Sequence, residues 1–455
     1  MKIAILGAGT YGSYIVDAVK RKYPQMDIVV FDVGDKKAKS EEEIGFLSSL
    51  KCLMYTGLTD GRWFGFGGSS AKWGGQLLTF TENDFAHPDT FMRDVVQCCA
   101  KYKESVLAKF KITNNYPERH VTDELFTKTG VWLSVFRRNF YHVFKVNRRK
   151  NVQVRKHCRV VRFESDNKKK IDAVVYLENG IEKRESFDYY FLTAGAFESA
   201  RLMLSSDLGM ENKINFSDHL GRRFFKIKKS TKIGNEDFVF RMKGTSLITK
   251  RLIGEIDNVS FYAHPVFNLN FPFFDSLKTL LFRREFSWSA IKNLFTDIPN
   301  AIGFAWTVLV KRRMFVLKNE WYIHIDIENP KNGSYVELSQ QKDKWDVPGL
   351  NVYYEIGAEA ENIYEKAKNI MIQYLQENNV HFEVLDEKID VQKSEDTYHP
   401  YGMFKFESME RYFSCYDNML LVSTGVLSRS GGINPTAALL PVIDEFMNHY
   451  FKTQP

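Results

Sequence analysis

Four segments of the chain carry residue types whose spacing could do chemistry. In the first, GAGTYG, Gly7, Gly9 and Gly12 frame Thr10 and Tyr11 between an apolar run and a helical pattern. In such a strand-to-helix turn, the first glycine permits the sharp bend and the second lets backbone approach a pyrophosphate. The third lets helix and strand pack closely. Free N–H groups at the helix start then favour an anion. Asp32 ends the next apolar run, twenty residues after Gly12, where a carboxylate accepts a hydrogen bond from a ribose hydroxyl. Together these features read as a dinucleotide site. The motif alone does not separate FAD from NAD.

The second segment, GRWFGFGGSSAKWGGQL, contains Gly61, Gly65, Gly67, Gly68, Ser69, Ser70, Gly74 and Gly75. So many missing side chains cost chain entropy unless backbone must approach something flat or anionic. Its Trp63, Phe64, Phe66 and Trp73 argue against a wet surface loop. The third, LTAGAFESARLMLSS, reads as a strand passing through Ala194 and Gly195 into a helix, either as a packed turn or as a second backbone approach to the same dinucleotide. The fourth is C-terminal. HPYG holds His399, and SGGINPT holds Asn434 followed by Pro435. Asn434 at a helix start is an ordinary N-cap with proline at the first helical position, and a lone histidine in a Pro/Gly turn is commonly a packed or surface residue.

The elements that must position these residues are legible in outline. Lys2–Leu6, a helix from Thr10 to Arg21, and Asp27–Asp32 make a βαβ unit. The polar stretch GDKKAKSEEE reads as a solvated excursion, and Asp89–Phe110 has helical periodicity. Strand-like alternation runs from Val152 to Phe163 and from Ile171 to Leu177. From about Phe225 to Ala358 short strands dominate, interrupted by an aromatic, basic and partly helical section, Phe273–Phe315. An amphipathic helix follows at Glu359–Glu377, and the chain ends on a helix, Pro435–Tyr450.

Composition sets the bounds. At 455 residues, 44% hydrophobic and 26% charged, the chain is of ordinary globular type and long enough for two domains. A net charge of +7 suits an anionic ligand or surface and is too small for a nucleic-acid footprint. The cysteines, Cys52, Cys98, Cys99, Cys158 and Cys415, are odd in number and lack zinc spacing, as in a reducing compartment. No metal site is expected. The sequence opens directly on an apolar strand, so no signal peptide is expected, and Ile298–Val310 is too short to span a bilayer as a helix. A cytoplasmic protein is expected, with peripheral membrane contact left open.

In this order, the four segments resemble the glucose–methanol–choline (GMC) oxidoreductases, most nearly the compact bacterial type found among sugar and glycan dehydrogenases. SDHLGRRF and ENPKNGSYVEL add to the likeness; residues 225–390 share it only in outline. The resemblance implies an α/β fold: a Rossmann-like βαβ FAD-binding domain from 1–85, 150–224 and 393–455. A mixed α+β substrate domain with an antiparallel sheet would span 225–392, with 86–149 a helical insertion on the substrate side. It implies His399 as catalytic base and Asn434 as its partner. It also implies FAD contacts from Gly7, Gly9, Thr10, Tyr11, Gly12, Asp32, Gly67, Gly68, Ser69, Ser70, Trp73, Gly74, Val160, Ala194, Gly195, Ser423, Gly425, Asn434 and Pro435. Lys72 stands where some members carry a flavin-linking histidine, so FAD should be non-covalent. Ser423 replaces the usual aspartate and Met403 a common threonine.

The implied reaction oxidises a CH–OH group, of a sugar or other alcohol that is free, phosphorylated, nucleotide-linked or lipid-linked, by hydride transfer to flavin. Three competing readings differ in what they need. A flavin-dependent sugar mutase would use FAD without net oxidation. A non-catalytic flavoprotein scaffold would be expected to lack His399 or Asn434. An NAD-linked dehydrogenase would leave the flavin loop and C-terminal motifs unused. The basic, aromatic segment 273–318 reads as a lid over the substrate site or as an interfacial surface.

Overall fold

The apolar run Lys2–Leu6 forms strand β1, and the glycine turn after it leads into helix α1, Thr10–Lys22. Strand β2, Asp27–Phe31, returns parallel to β1 with Leu6 opposite Phe31. The close packing that the third glycine permits is explicit: a Cβ on Gly12 would lie 1.9 Å from the Gly7 carbonyl oxygen. In this computed structural model, residues 1–51, 55–112, 116–134, 136–227, 238, 240–243, 246–267, 271–277, 279–280, 286–311 and 321–451 are described.

Five parallel strands make the first sheet, in the order Met419–Leu421, Tyr189–Leu192, β1, β2 and Val152–Arg155. Strand β1 is central, so the turn after it opens at the carboxyl edge of the sheet, where open α/β sheets bind ligands. A three-stranded antiparallel sheet, Cys158–Glu164, Ala173–Glu178 and Ile181–Glu185, accompanies it. The largest sheet is antiparallel along Phe126–Trp132, Ser246–Ile256, Val259–Phe267, Trp321–Glu328 and His219–Ile227. One apolar core joins Ile5, Val30 and Phe191 of the parallel sheet to Ile253, Phe261 and Ile325 of the antiparallel one.

Several expectations change in detail. The alternation from Val152 to Phe163 divides into two strands in different sheets, separated where His157 takes φ +57°. The excursion GDKKAKSEEE is not wholly solvated. Ser40 caps a short helix, Glu41–Ile44, in a reciprocal capping box, and Glu41 is buried against Arg62. Segment 86–149 supplies the helix Thr90–Lys109, but also the strand Phe126–Trp132, which belongs to the antiparallel sheet. The C-terminal helix is a composite of 3-10, α and π turns over Pro435–Tyr450. The helix Ala360–Glu377 buries Ile363, Tyr364, Ala367, Met371, Tyr374 and Leu375, the single face its periodicity requires.

Candidate functional site

Helix α1 starts at Gly9 with no side-chain cap and no acidic residue in its first turn. Its first N–H groups are therefore left for an outside acceptor. They open on a cavity of about 540 Å³ lined at that end by Gly7, Gly9, Thr10 and Tyr11. The glycine-rich segment forms one wall through Gly68, Ser69, Trp73 and Gly74, and Val160, Ala194 and Gly195 form another. Gly68 and Gly9 meet backbone to backbone: a Cβ on Gly68 would stand 3.0 Å from the Gly9 Cα. The same cavity is lined by Ser423, His399 and Asn434.

Asp32 lies just beyond β2 and lines the same cavity. Its carboxylate accepts the N–H of Ala8 at 2.9 Å and of Gly34 at 2.8 Å, so it also ties the glycine turn to β2. Burial pushes its pKa up to about 6, against those N–H donors. The buried Ser423 Oγ has no hydrogen-bond partner. An orphaned hydroxyl, an uncapped helix start and a backbone cradle fit the phosphates and polyol of a dinucleotide.

Not every sequence-assigned residue reaches the cavity. Gly12, Gly67, Ser70, Gly425 and Pro435 do not line it. Gly12 instead packs against Gly7, and Ser70 Oγ donates to Gly67 O at 2.6 Å while accepting Phe140 N–H. Gly425 O receives the N–H groups of Met403 and Phe404. The capping role anticipated for Asn434 is also wrong. It stands at the N-cap position, yet its side chain makes no cap hydrogen bond.

The Asn434 side chain is held elsewhere, and its orientation follows from donor chemistry. Arg251 can only donate, and its Nη2 lies 3.0 Å from Asn434 Oδ1. The amide nitrogen must then face His399 Nε2, 3.0 Å away, and donate to it. Nε2 is thus the unprotonated nitrogen, and Nδ1–H donates to Thr397 Oγ1 at 2.9 Å. Burial, and then His219, lower the His399 pKa to about 3, so the ring is neutral across the physiological range.

Two carboxylates brace this end. Asp218 accepts the main-chain N–H of His399 at 2.9 Å and that of His219 at 2.7 Å, with a further short bond from Tyr55 OH. Burial and nearby Asp396 push Asp218 up to about 8. Glu328 receives the N–H groups of Ser430 and Gly431, each at 2.8 Å, and so shapes the turn that presents Asn434. Asp218, His219 and His399 converge closely enough to suggest a cation site. His219 Nε2–H donates to Gly431 O at 2.6 Å and His399 Nε2 accepts from Asn434, which leaves the buried His219 Nδ1 as the ring nitrogen without a partner.

No protein-family model and no curated protein matches the sequence. Solved structures do match over nearly the whole chain. Pyridoxine 4-oxidase from Mesorbium loti superposes with a TM-score of 0.58 at 12% identity, covering 99% of each chain. Two arginine variants of Aspergillus oryzae RIB40 formate oxidase, studied for their effect on FAD modification, give 0.54 at 10% and 11% identity, covering 98% of this chain and 97% of theirs. The chain has the fold of these oxidases.

Within that fold, several residues at the site carry no motif. Arg251 is buried on the strand Ser246–Ile256, bonded to Gln76 Oε1 at 2.6 Å as well as to Asn434, with Nη1 unpartnered. Its one sequence signal is a charge sharing a strand face with Thr249 and Ile253. Arg159, on the cavity wall near Phe46, is 2% exposed and paired with Glu198 and Asp343. Nothing in its local sequence distinguishes it.

Proposed function

We propose that the protein is a GMC-type, FAD-dependent oxidoreductase that oxidises a CH–OH group, with His399 as the base. The reading is carried by the His399 Nε2–Asn434 Nδ2 pair, 3.0 Å apart on the wall of the cavity that begins at the α1 N-terminus. When bound, FAD supplies the acceptor for the hydride leaving the carbinol carbon. The substrate hydroxyl displaces the Asn434 amide from His399 Nε2, which then takes the hydroxyl proton. A ring this weakly basic holds no proton beforehand and gains one only as alkoxide character develops.

Asn434 has a second amide hydrogen for the donor oxygen, which would set the C–H bond in place. Thr397 holds the ring tautomer, and Asp218 anchors the His399 backbone. Arg251 keeps the Asn434 amide turned toward the base.

FAD is held without a covalent bond in this reading. Lys72 stands at the linking position with its ammonium 4.8 Å above the Trp63 ring, and burial pushes the Cys158 thiol on the cavity wall up to about 12. The donor is a sugar or glycan precursor, a choice supported by the type of GMC sequence resembled and by the polar wall of Gln76, Thr397 and Thr436. The neighbours are named for pyridoxine and formate, so the fold leaves the donor open. The free cysteines Cys98, Cys99, Cys158 and Cys415 suit a reducing, cytoplasmic setting.

The test is anaerobic titration of the purified protein with sugars and simple alcohols. Bleaching of a bound flavin with formation of a carbonyl product is expected. A flavin that no alcohol reduces would overturn the oxidoreductase reading in favour of a mutase or scaffold. His399→Ala should slow flavin reduction by about 10²–10⁴-fold while the flavin stays bound.

A further inference from the structure

The connection 268–320 leaves the antiparallel sheet between Val259–Phe267 and Trp321–Glu328, which close its base by pairing Phe267 with Trp321. It contains the helices Trp288–Thr296 and Ile298–Ala305, the latter continued by a π turn, Trp306–Val310. A helix on a globular protein normally turns its apolar stripe inward. Here the stripe faces out: Ile298, Ile302, Trp306 and Leu309, at i, i+4, i+8 and i+11, are 54–64% exposed. Ile298–Val310 holds no charged residue and no buried one. Phe286, Trp288 and Phe295 beside it are 72–76% exposed.

Charge says what covers this face. Between positions 283 and 313 the sequence carries Arg283, Arg284, Lys292, Lys311, Arg312 and Arg313 against Glu285 and Asp297. Lys292 and Lys311 are exposed. Exposed aromatic and aliphatic side chains with Lys292 and Lys311 beside them match the acyl boundary and phosphates of an anionic leaflet. A second copy docked symmetrically on the same face would set these cations against their own kind. Among the described residues no helix is long and apolar enough to cross a membrane, and Ile298–Val310 reaches about 20 Å where a span needs about 30 Å. We propose that this face lies in the headgroup region of an anionic lipid bilayer. The inference is independent of the flavin chemistry.

The experiment is flotation of the full chain with phosphatidylglycerol-containing vesicles and with phosphatidylcholine vesicles alone. Binding to the anionic vesicles that weakens at high salt is expected, with a loss of about tenfold or more in the W288S/W306S/L309S variant. In the unsubstituted protein, brominated lipid should quench tryptophan fluorescence, and Trp306→Phe should remove part of that quenching. No binding to anionic vesicles at low salt would overturn the proposal. So would equal binding by the triple variant, or a concentration-dependent dimer abolished by it in the absence of vesicle binding.

Discussion

Arg251 decides which atom of Asn434 faces His399, and through that which nitrogen of the ring is free to take a proton. Replacing it, Arg251→Met, removes the donor that fixes the amide. The rate of flavin reduction should fall about tenfold or more, the scale of a lost hydrogen bond to a charged group, with little change in KM. A kcat equal to that of the unsubstituted protein would sink this positioning role. The depressed value of His399 gives a second prediction. Because the folded chain holds the ring neutral down to about 3, from an ordinary 6.5, kcat/KM should show no acid limb from His399 near neutrality. The sign for stability follows from linkage: the unfolded chain binds the proton more readily. This residue's contribution is therefore whole above pH 6.5 and is lost as pH falls toward 3. A pH–rate profile with an acid limb near 6.5 that disappears in His399→Ala would contradict the neutral assignment.

Between strand β1 and helix α1, the glycines of one motif separate into two jobs. A Cβ at Gly12 would collide with backbone at 1.9 Å, whereas one at Gly9 would meet nothing nearer than the Gly68 Cα at 3.9 Å. Gly12→Ala should therefore destabilise the protein even without FAD, at the scale of about 1–3 kcal/mol for overpacking. Gly9→Ala should leave the unliganded Tm nearly unchanged while removing the rise in Tm that added FAD produces. Equal behaviour of the two variants in a thermal-shift assay would refute the division. At this scale the sequence was most legible, because a βαβ unit is a local structure whose glycine spacing and strand lengths lie within about thirty residues. The split at His157 was not legible, since consecutive apolar alternation does not say which sheet each half will join.

Across the molecule, the described helices of the connection 268–320, Pro272–Leu277, Trp288–Thr296 and Ile298–Ala305, pack on one another. The connection's buried Phe271, Phe274 and Ala290 lie outside the main apolar core, and its ends meet at the Phe267–Trp321 pair. Replacing residues 269–319 with a short Gly/Ser turn should keep the flavin spectrum and cooperative unfolding, and should abolish vesicle binding. Loss of flavin on deletion would mean that the connection is part of the site's own architecture. The separation also explains why a lid and an interfacial surface could not be told apart in the sequence: both need apolar residues at helical spacing, and only exposure distinguishes them.

What the sequence by itself determined is the chemistry with short range. The GAGTYG turn, the acid after β2 and the glycine-rich cradle could be named because each rests on residue type and local spacing, whereas His399 and Asn434 were paired only through the likeness of the four segments to a known family. Tertiary structure alone decided the rest. It turned Asn434 from a helix cap into a hydrogen-bond partner of His399, because Arg251 on a distant strand competes for its oxygen. It also moved Gly12, Gly67, Ser70, Gly425 and Pro435 off the cavity wall and into its supports. A side chain's partners are set by what other segments bring within about 3 Å, and strand order and burial carry that information while spacing along the chain does not.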